Sequence, residues 1–391
     1  MRTVIIGAGI GGLALAAILQ RNDADYIVHE RRAHITTEGS GLVLHPNGLD
    51  ALDRIESGFR AVVTAAGYAI PDDTPTFVLA GDGATIREWV PAPSERSVTI
   101  RRAELRRLLH ERSERTRIRL GSTFLQYAES GSSLQVFVTE KRIGTRTGSL
   151  CQPPLSRDPD VQDFAADVLI GADGMRSVVR RQLLADGGPR PMGLTSVRSV
   201  VRLVHDDPRL WGGFVLFGRG HQVFCSPLGP DILYWDVTLR SSHPVLRERV
   251  NLRRNLLARD WGWPTCVREI IAAARPEDMI VTALHDRPGR TGWSRGAVTL
   301  MGDAAHPMSP FLGQGTNQAL LDAVVLAESL GSHGSDLADA FSDYETNRRD
   351  CAYRAMRDSR RIGFRGQTRN PLSRWLRDRA VRAPARAVTS K

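Results

Sequence analysis

Cysteine is scarce and scattered. The 391 residues contain four, Cys151, Cys225, Cys266 and Cys351, and none forms a Cys-x-x-Cys pair. That spacing excludes a zinc knuckle and a disulfide framework, and a reducing cytoplasm is the expected compartment. Lysine is nearly absent, since only Lys141 and Lys391 occur, so arginine carries the basic charge. Long apolar runs are missing too. The best candidate follows Arg2 and ends near Leu19. It is interrupted by Gly7, Gly9, Gly11 and Gly12, has no cleavage-like site, and falls short of the ~20 residues of a spanning helix. Neither a signal peptide nor a membrane span is expected. No internal repeat is visible, and no cluster of His, Cys and Asp suggests a metal.

The apolar fraction of 41% is ordinary for a globular chain. The length asks for two packed domains plus a tail. The formal charge of +10 sits at one end: Arg348 to Lys391 holds fourteen basic residues against three acidic ones, Asp350, Asp358 and Asp378. Such an arm attracts nucleic acid or an anionic membrane. No recognised nucleic-acid-binding element accompanies it, so the expectation is a solvated helical face and no nucleic-acid partner.

The chemistry begins at the N-terminus. Thr3-Val4-Ile5-Ile6 suits a buried parallel strand. It runs into Gly7-Ala8-Gly9-Ile10-Gly11-Gly12, and Leu13 to Gln20 reads as helix. This is G-x-G-x-x-G between strand and helix. Gly7 permits the turn, Gly9 admits a pyrophosphate, and Gly12 lets helix and strand pack closely. The helix N-terminus offers free N–H groups and a partial positive charge to phosphate. A second strand, Tyr26 to His29, ends in Glu30, spaced to hydrogen-bond a ribose. By itself this motif identifies a dinucleotide and does not say which one.

Two further motifs follow. Ala166 to Ile170 is an apolar strand leading into Gly171-Ala172-Asp173-Gly174. Ala297 to Met301 leads into Gly302-Asp303-Ala304-Ala305-His306-Pro307, and then Pro310 to Asn317 opens a helix with Leu320, Ala323, Val324 and Ala327 on one face. The segment Gly313 to Asn317 is a glycine-rich helix entry whose amides and dipole can stabilise an anionic ring edge.

With these three motifs in this order the chain resembles the class A flavoprotein monooxygenases, the family of para-hydroxybenzoate hydroxylase, salicylate hydroxylase and zeaxanthin epoxidase. The resemblance covers residues 1 to about 365. It implies an α/β fold: a Rossmann-like FAD-binding domain with an inserted β-sheet substrate domain and a helical C-terminal tail. The expected division is 1–70, 98–180 and 280–330 for FAD, 71–97 and 181–279 for the substrate sheet, and 331–391 for the tail.

The resemblance also implies roles. Gly7, Gly9 and Gly12 hold the FAD pyrophosphate and Glu30 the adenosine ribose. Arg102, in Arg102-Ala103-Glu104-Leu105, reaches the phosphate or ribose region. Leu125 offers backbone to adenine. Asp173 and Gly174 support FAD and the nicotinamide, and Gly302 and Asp303 meet the ribityl or pyrophosphate segment. Gly313, Gly315 and Asn317 face the flavin, and Pro310 shapes the wall at its reacting edge. FAD is bound tightly without a covalent bond, NADPH or NADH reduces it transiently, O₂ adds to give a C4a-hydroperoxide, and one oxygen passes to a small substrate. Hydroxylation of an aromatic or polyketide-like ring is the leading expectation, with epoxidation open. A monomer or homodimer is expected.

No catalytic base is evident. His45 falls where the chain of the family passes near the flavin, while His221 and Tyr234 fall on the substrate sheet. A lone histidine is more often structural, and the same holds for His306. Aromatics Phe214, Phe217, Phe224, Tyr234 and Trp235 mark the substrate strands. Residues 141–165 depart from the family as a polar, proline-containing stretch, read as a mobile insertion or a lid. Two rival flavin readings are a reductase of the same superfamily and a halogenase. The halogenase motif is missed, since Trp261-Gly262-Trp263-Pro264 has the wrong spacing. A rival of another class is a nucleotide-binding module with a nucleic-acid arm.

Overall fold

The computed structural model describes residues 1–35, 40–130, 133–140, 160–289 and 292–382. The first strand, Thr3–Ile6, is entirely buried, and it lies in the interior of a six-stranded sheet. Parallel neighbours flank it, Val168–Gly171 on one side and Tyr26–Glu30 on the other. Beyond them lie Val298–Leu300 and Ile118–Leu120, also parallel. Parallel strands are covered on both faces, which is why they read as continuous Val/Ile/Leu runs. The helices Ile10–Arg21 and Gln314–His333 pack together and supply much of that cover.

The second layer is a seven-stranded sheet built around Arg190–Arg202, His221–Pro227 and Ile232–Arg240. Its far edge is the hairpin Thr76–Ala80 and Thr85–Trp89, which joins through a parallel pairing with Phe214–Phe217. Strand alternation gives this sheet two unlike faces. Val197, Val223, Cys225, Trp235, Val237 and Leu239 are buried in an apolar core with the helices Leu252–Ala258 and Thr265–Ala272. Ser196, Arg198, Gln222, Phe224, Tyr234, Asp236 and Thr238 point the other way, toward the nucleotide-type half.

That alternation corrects two expectations. His221 pairs with Leu239 and lies on the core side, where its ring accepts the Trp263 indole N–H at 2.8 Å. Phe214 and Trp235 are likewise core residues. Only Phe217, Phe224 and Tyr234 of the five marked aromatics share the opposite face.

The C-terminal arm exposes most of its arginines but buries two. The helix Leu337–Gly366 runs beside Gln314–His333, and Pro371–Arg382 follows it. Arg348 is buried against Asp322 and Gln318, and Arg377 is buried with its guanidinium on the carbonyl of Phe217. A charge-rich sequence concealed these contacts because the aliphatic stems pack while the heads find specific acceptors. Of the 141–165 stretch, residues 141–159 lie outside the described residues. Val161–Ala166 is a strand paired with Ser133–Thr139, so that portion is not an irregular loop. Among the described residues no helix is long and apolar enough to cross a membrane.

Candidate functional site

The glycine turn is built by close approach. Gly7 has φ of 111°, and a Cβ on Gly12 would sit 2.0 Å from the Gly7 carbonyl oxygen. The helix Ile10–Arg21 can therefore start directly against the strand end. A Cβ on Gly9 would meet nothing within 4 Å, so open space lies in front of that turn. The helix has no acidic residue in its first turn and no side-chain cap, leaving its N–H groups and dipole for an anion.

Two long-range contacts set the turn. Glu30 Oε2 accepts the Ala8 amide at 2.9 Å and Oε1 accepts the Arg32 amide at 3.0 Å. Each oxygen keeps a lone pair for a hydroxyl. Arg106, buried on the helix Arg102–His110, donates Nε and Nη2 to the Ala8 carbonyl at 3.0 and 2.8 Å. Sequence reasoning missed Arg106; its only signal was the position four residues after Arg102, on the same helical face.

Arg102 starts that helix and faces Asp303. Both side chains keep exposed surface. Burial pushes the Asp303 carboxyl up, and Arg102 opposes that. Burial lowers Arg102, and Arg198 and Arg32 repel it. Arg102 and Arg32 leave a surplus of positive charge beside Asp303, suited to a pyrophosphate. Gly315 lies across from Asp303, with its Cβ position 3.9 Å from Oδ1. Leu125 is the unpaired residue of a bulge: Phe124 opposes Val138 and Gln126 opposes Phe137, so the ladder skips Leu125. A bulged residue has backbone groups free for another partner.

Asp173 Oδ2 accepts the amides of Val178 and Val179 at 2.6 and 3.4 Å, capping the helix Val178–Leu184. Among the described residues its buried Oδ1 has no hydrogen-bond partner. Burial pushes this carboxyl up, and the helix hydrogen bonds pull it back. Arg180, fully buried, ties the second motif to the third: Nη1 donates to the carbonyls of Ala304 and Ala305 at 2.9 and 2.6 Å. Asp186 neutralises it at 2.6 Å and also meets Arg287 at 3.1 Å.

His306 is a structural hydrogen-bonder. Its Nε2 lies 2.5 Å from Asp322 Oδ2, which also accepts the Gly302 amide at 2.7 Å. Burial would raise the Asp322 carboxyl, but His306 and Arg348 outweigh it and hold it at about 2. Asn317 is buried and acts as a staple: its Nδ2 donates to Gly313 and Val43 carbonyls, and its Oδ1 accepts the His45 amide at 3.0 Å. The His45 ring bridges Ser97 Oγ and the Leu312 carbonyl, each at 3.1 Å. The carbonyl requires the proton on Nε2, and burial lowers its affinity for a second. Pro310 stays exposed on the turn Pro310–Leu312 that precedes Gly313. Met308, Ser309 and Pro310 border a cavity of about 360 Å³ whose other walls are Met175–Arg176 and 281–285.

Comparison with known proteins gives concordant results. The family model described as "FAD binding domain" matches residues 1–359. The chain is 30% identical to aurachin C monooxygenase/isomerase of Stigmatella aurantiaca, over 98% of this chain and 94% of that protein. It is 29% identical to 2-heptyl-3-hydroxy-4(1H)-quinolone synthase of Pseudomonas aeruginosa, over 98% and 94%. Its fold superposes on Klebsiella pneumoniae HpxO, solved with FAD and uric acid, with a TM-score of 0.82 at 24% identity, covering 98% of this chain and 92% of that one.

Proposed function

Because the chain belongs to the FAD-binding family of flavoprotein monooxygenases, we propose that it takes electrons from NADH or NADPH and places one atom of O₂ on a small aromatic ring. The observation that carries this reading is the open space in front of Gly9, beside a Glu30 carboxylate that holds the Ala8 amide. FAD, when bound, supplies the redox chemistry that O₂ activation needs.

The residues of this chain do the rest. The amides after Gly9, with Arg102, neutralise the pyrophosphate, and Glu30 takes the adenosine ribose while holding Ala8 in place. The unpaired backbone of Leu125 meets adenine. Asp303 and Gly315 would hold the ribityl chain. The N-terminus of the helix that begins at Gln314 would stabilise negative charge on a reduced flavin. Asn317 and His45 position the loop 312–315 instead of touching the reacting atoms. The polar face of the seven-stranded sheet, with Phe224 and Tyr234, forms the wall against the substrate, and burial pushes the Tyr234 hydroxyl up so that it stays protonated.

The test is a visible spectrum of the purified protein, followed by NADH and NADPH oxidation with O₂ uptake against a panel of hydroxylated aromatic and N-heteroaromatic rings. A flavin spectrum with ring-stimulated oxidation and matching O₂ uptake is expected. Protein that cannot be reconstituted with FAD, or that reduces a ring without O₂, overturns the reading.

A further inference from the structure

Arg198 and Asp236 stand directly opposite each other on the neighbouring strands Arg190–Arg202 and Ile232–Arg240, on the face turned toward the cleft. Opposite charges in that position ordinarily pair. Here, among the described residues, they form no direct hydrogen bond: Asp236 feels the charge of Arg198 but takes its hydrogen bonds from Ser196 and Thr238. Among the described residues Arg198 makes one long contact, to Thr282 Oγ1 at 3.4 Å, and its buried Nε has no hydrogen-bond partner. A half-buried guanidinium left so incompletely bonded costs stability unless another molecule completes it.

The surroundings say where that molecule lies. Thr282 also borders the 360 Å³ cavity beside Met308 and Pro310. Arg198 is within electrostatic reach of Arg102, which faces Asp303 in the cofactor cleft. Phe224 and Tyr234 flank Asp236 on the same sheet face, and Tyr234 abuts Gly41. The site therefore offers a flat apolar wall, one acceptor and one strong donor.

We propose that Arg198 and Asp236 are the substrate-recognition pair, and that the substrate is a ring whose acidic N–H is conjugated to a carbonyl oxygen, a vinylogous amide of the hydroxyquinoline kind. The assignment rests on the hydroxylase reading above. Asp236 accepts the N–H and Arg198 donates to the oxygen. The proton moves from ring nitrogen to Asp236: the N–H bond breaks, a carboxyl O–H forms, and the electron pair delocalises to the oxygen held by Arg198. The ring carbon between them then becomes electron-rich, as transfer of an electrophilic oxygen requires. Burial raises the Asp236 carboxyl, which makes it a stronger base than a solvated aspartate.

The experiment titrates the holoenzyme with 4-hydroxyquinoline, its N-methyl derivative and 1-naphthol, reading Kd from protein fluorescence and ionisation from the ultraviolet spectrum of the bound ring. The parent ring is expected to bind roughly tenfold or more tightly than either control. Asp236→Asn should erase that preference and the anionic spectrum. Arg198→Gln should weaken the parent by about tenfold, with Arg198→Lys in between, at unchanged flavin content. Equal binding of the parent and N-methyl rings by the unaltered enzyme, failure of all three to bind, or a preference that survives Asp236→Asn overturns the proposal. A protein that discriminates the rings yet neither holds FAD nor consumes O₂ would sink the hydroxylase reading and leave the recognition pair standing.

Discussion

Glu30 holds the backbone amide of Ala8 at 2.9 Å across twenty-two residues of sequence, so the second strand fixes the turn that follows the first. Replacing Glu30 with Ala removes a charge-assisted bond within the turn and the proposed ribose contact together. Each such bond contributes about 1.5–3 kcal/mol. FAD affinity should fall roughly 10- to 100-fold, measured by flavin fluorescence during reconstitution of apoprotein. An unchanged Kd would remove Glu30 from the nucleotide site.

Gly12→Ala places a methyl group 2.0 Å from the Gly7 carbonyl oxygen, which is backbone and cannot swing aside. The helix must lift from the strand end. Overpacking of this kind costs about 1–3 kcal/mol. We expect a lower Tm and protein purified largely without flavin. Gly9→Ala, where the added methyl meets nothing, should keep its Tm and lose FAD affinity only. The two variants thus separate damage to the fold from damage to the binding space.

Asp186 neutralises both Arg180 and Arg287 in the interior. Asp186→Asn removes the carboxylate that the two buried cations share. The expected loss is about 3–5 kcal/mol in urea unfolding. Because Arg180 also holds the carbonyls of Ala304 and Ala305, flavin release should accompany the loss of stability. Loss of stability below 1 kcal/mol would show that water reaches this cluster.

Acid should destabilise the protein well above carboxylate titration. Burial lowers both His29 and His221 to about 4. The unfolded chain protonates such groups near pH 6.5, while the folded chain resists until about pH 4. Stability is thus full above pH 6.5 and declines as pH falls toward 4, by about 1.4 kcal/mol per pH unit for each histidine. His221→Gln should flatten this slope in a series of urea melts between pH 7 and 4.5. The Trp263 indole is the local reporter, because its bond to His221 requires an unprotonated Nε2.

Four of the five parallel strands and the three motif turns were legible because each is local, whereas Ile118–Leu120 carried no such signal. The site contacts that came from far away were not legible. Arg106 meets Ala8 across ninety-eight residues, and Arg180 meets Ala305 across 125. Nothing near Arg198 in the chain marks Asp236 as its neighbour. His221 and Tyr234 looked alike as polar residues on sheet strands; only register decides that one faces the core and the other the cleft. Arg348 and Arg377 looked like surface charge, because composition cannot show which guanidinium groups find buried acceptors.

The order of strands in the parallel sheet has a consequence for biosynthesis. Thr3–Ile6 needs Val168–Gly171 beside it, and that strand needs Val298–Leu300 in turn. At ~5–20 residues per second the first strand waits on the order of tens of seconds for the last of them to be made. Through that interval the apolar side chains between Val4 and Leu19, buried in the finished molecule, have only the Tyr26–Glu30 strand as a sheet partner. The growing chain is therefore a natural client for chaperones, and its yield in a foreign host should depend on them more than on the supply of flavin.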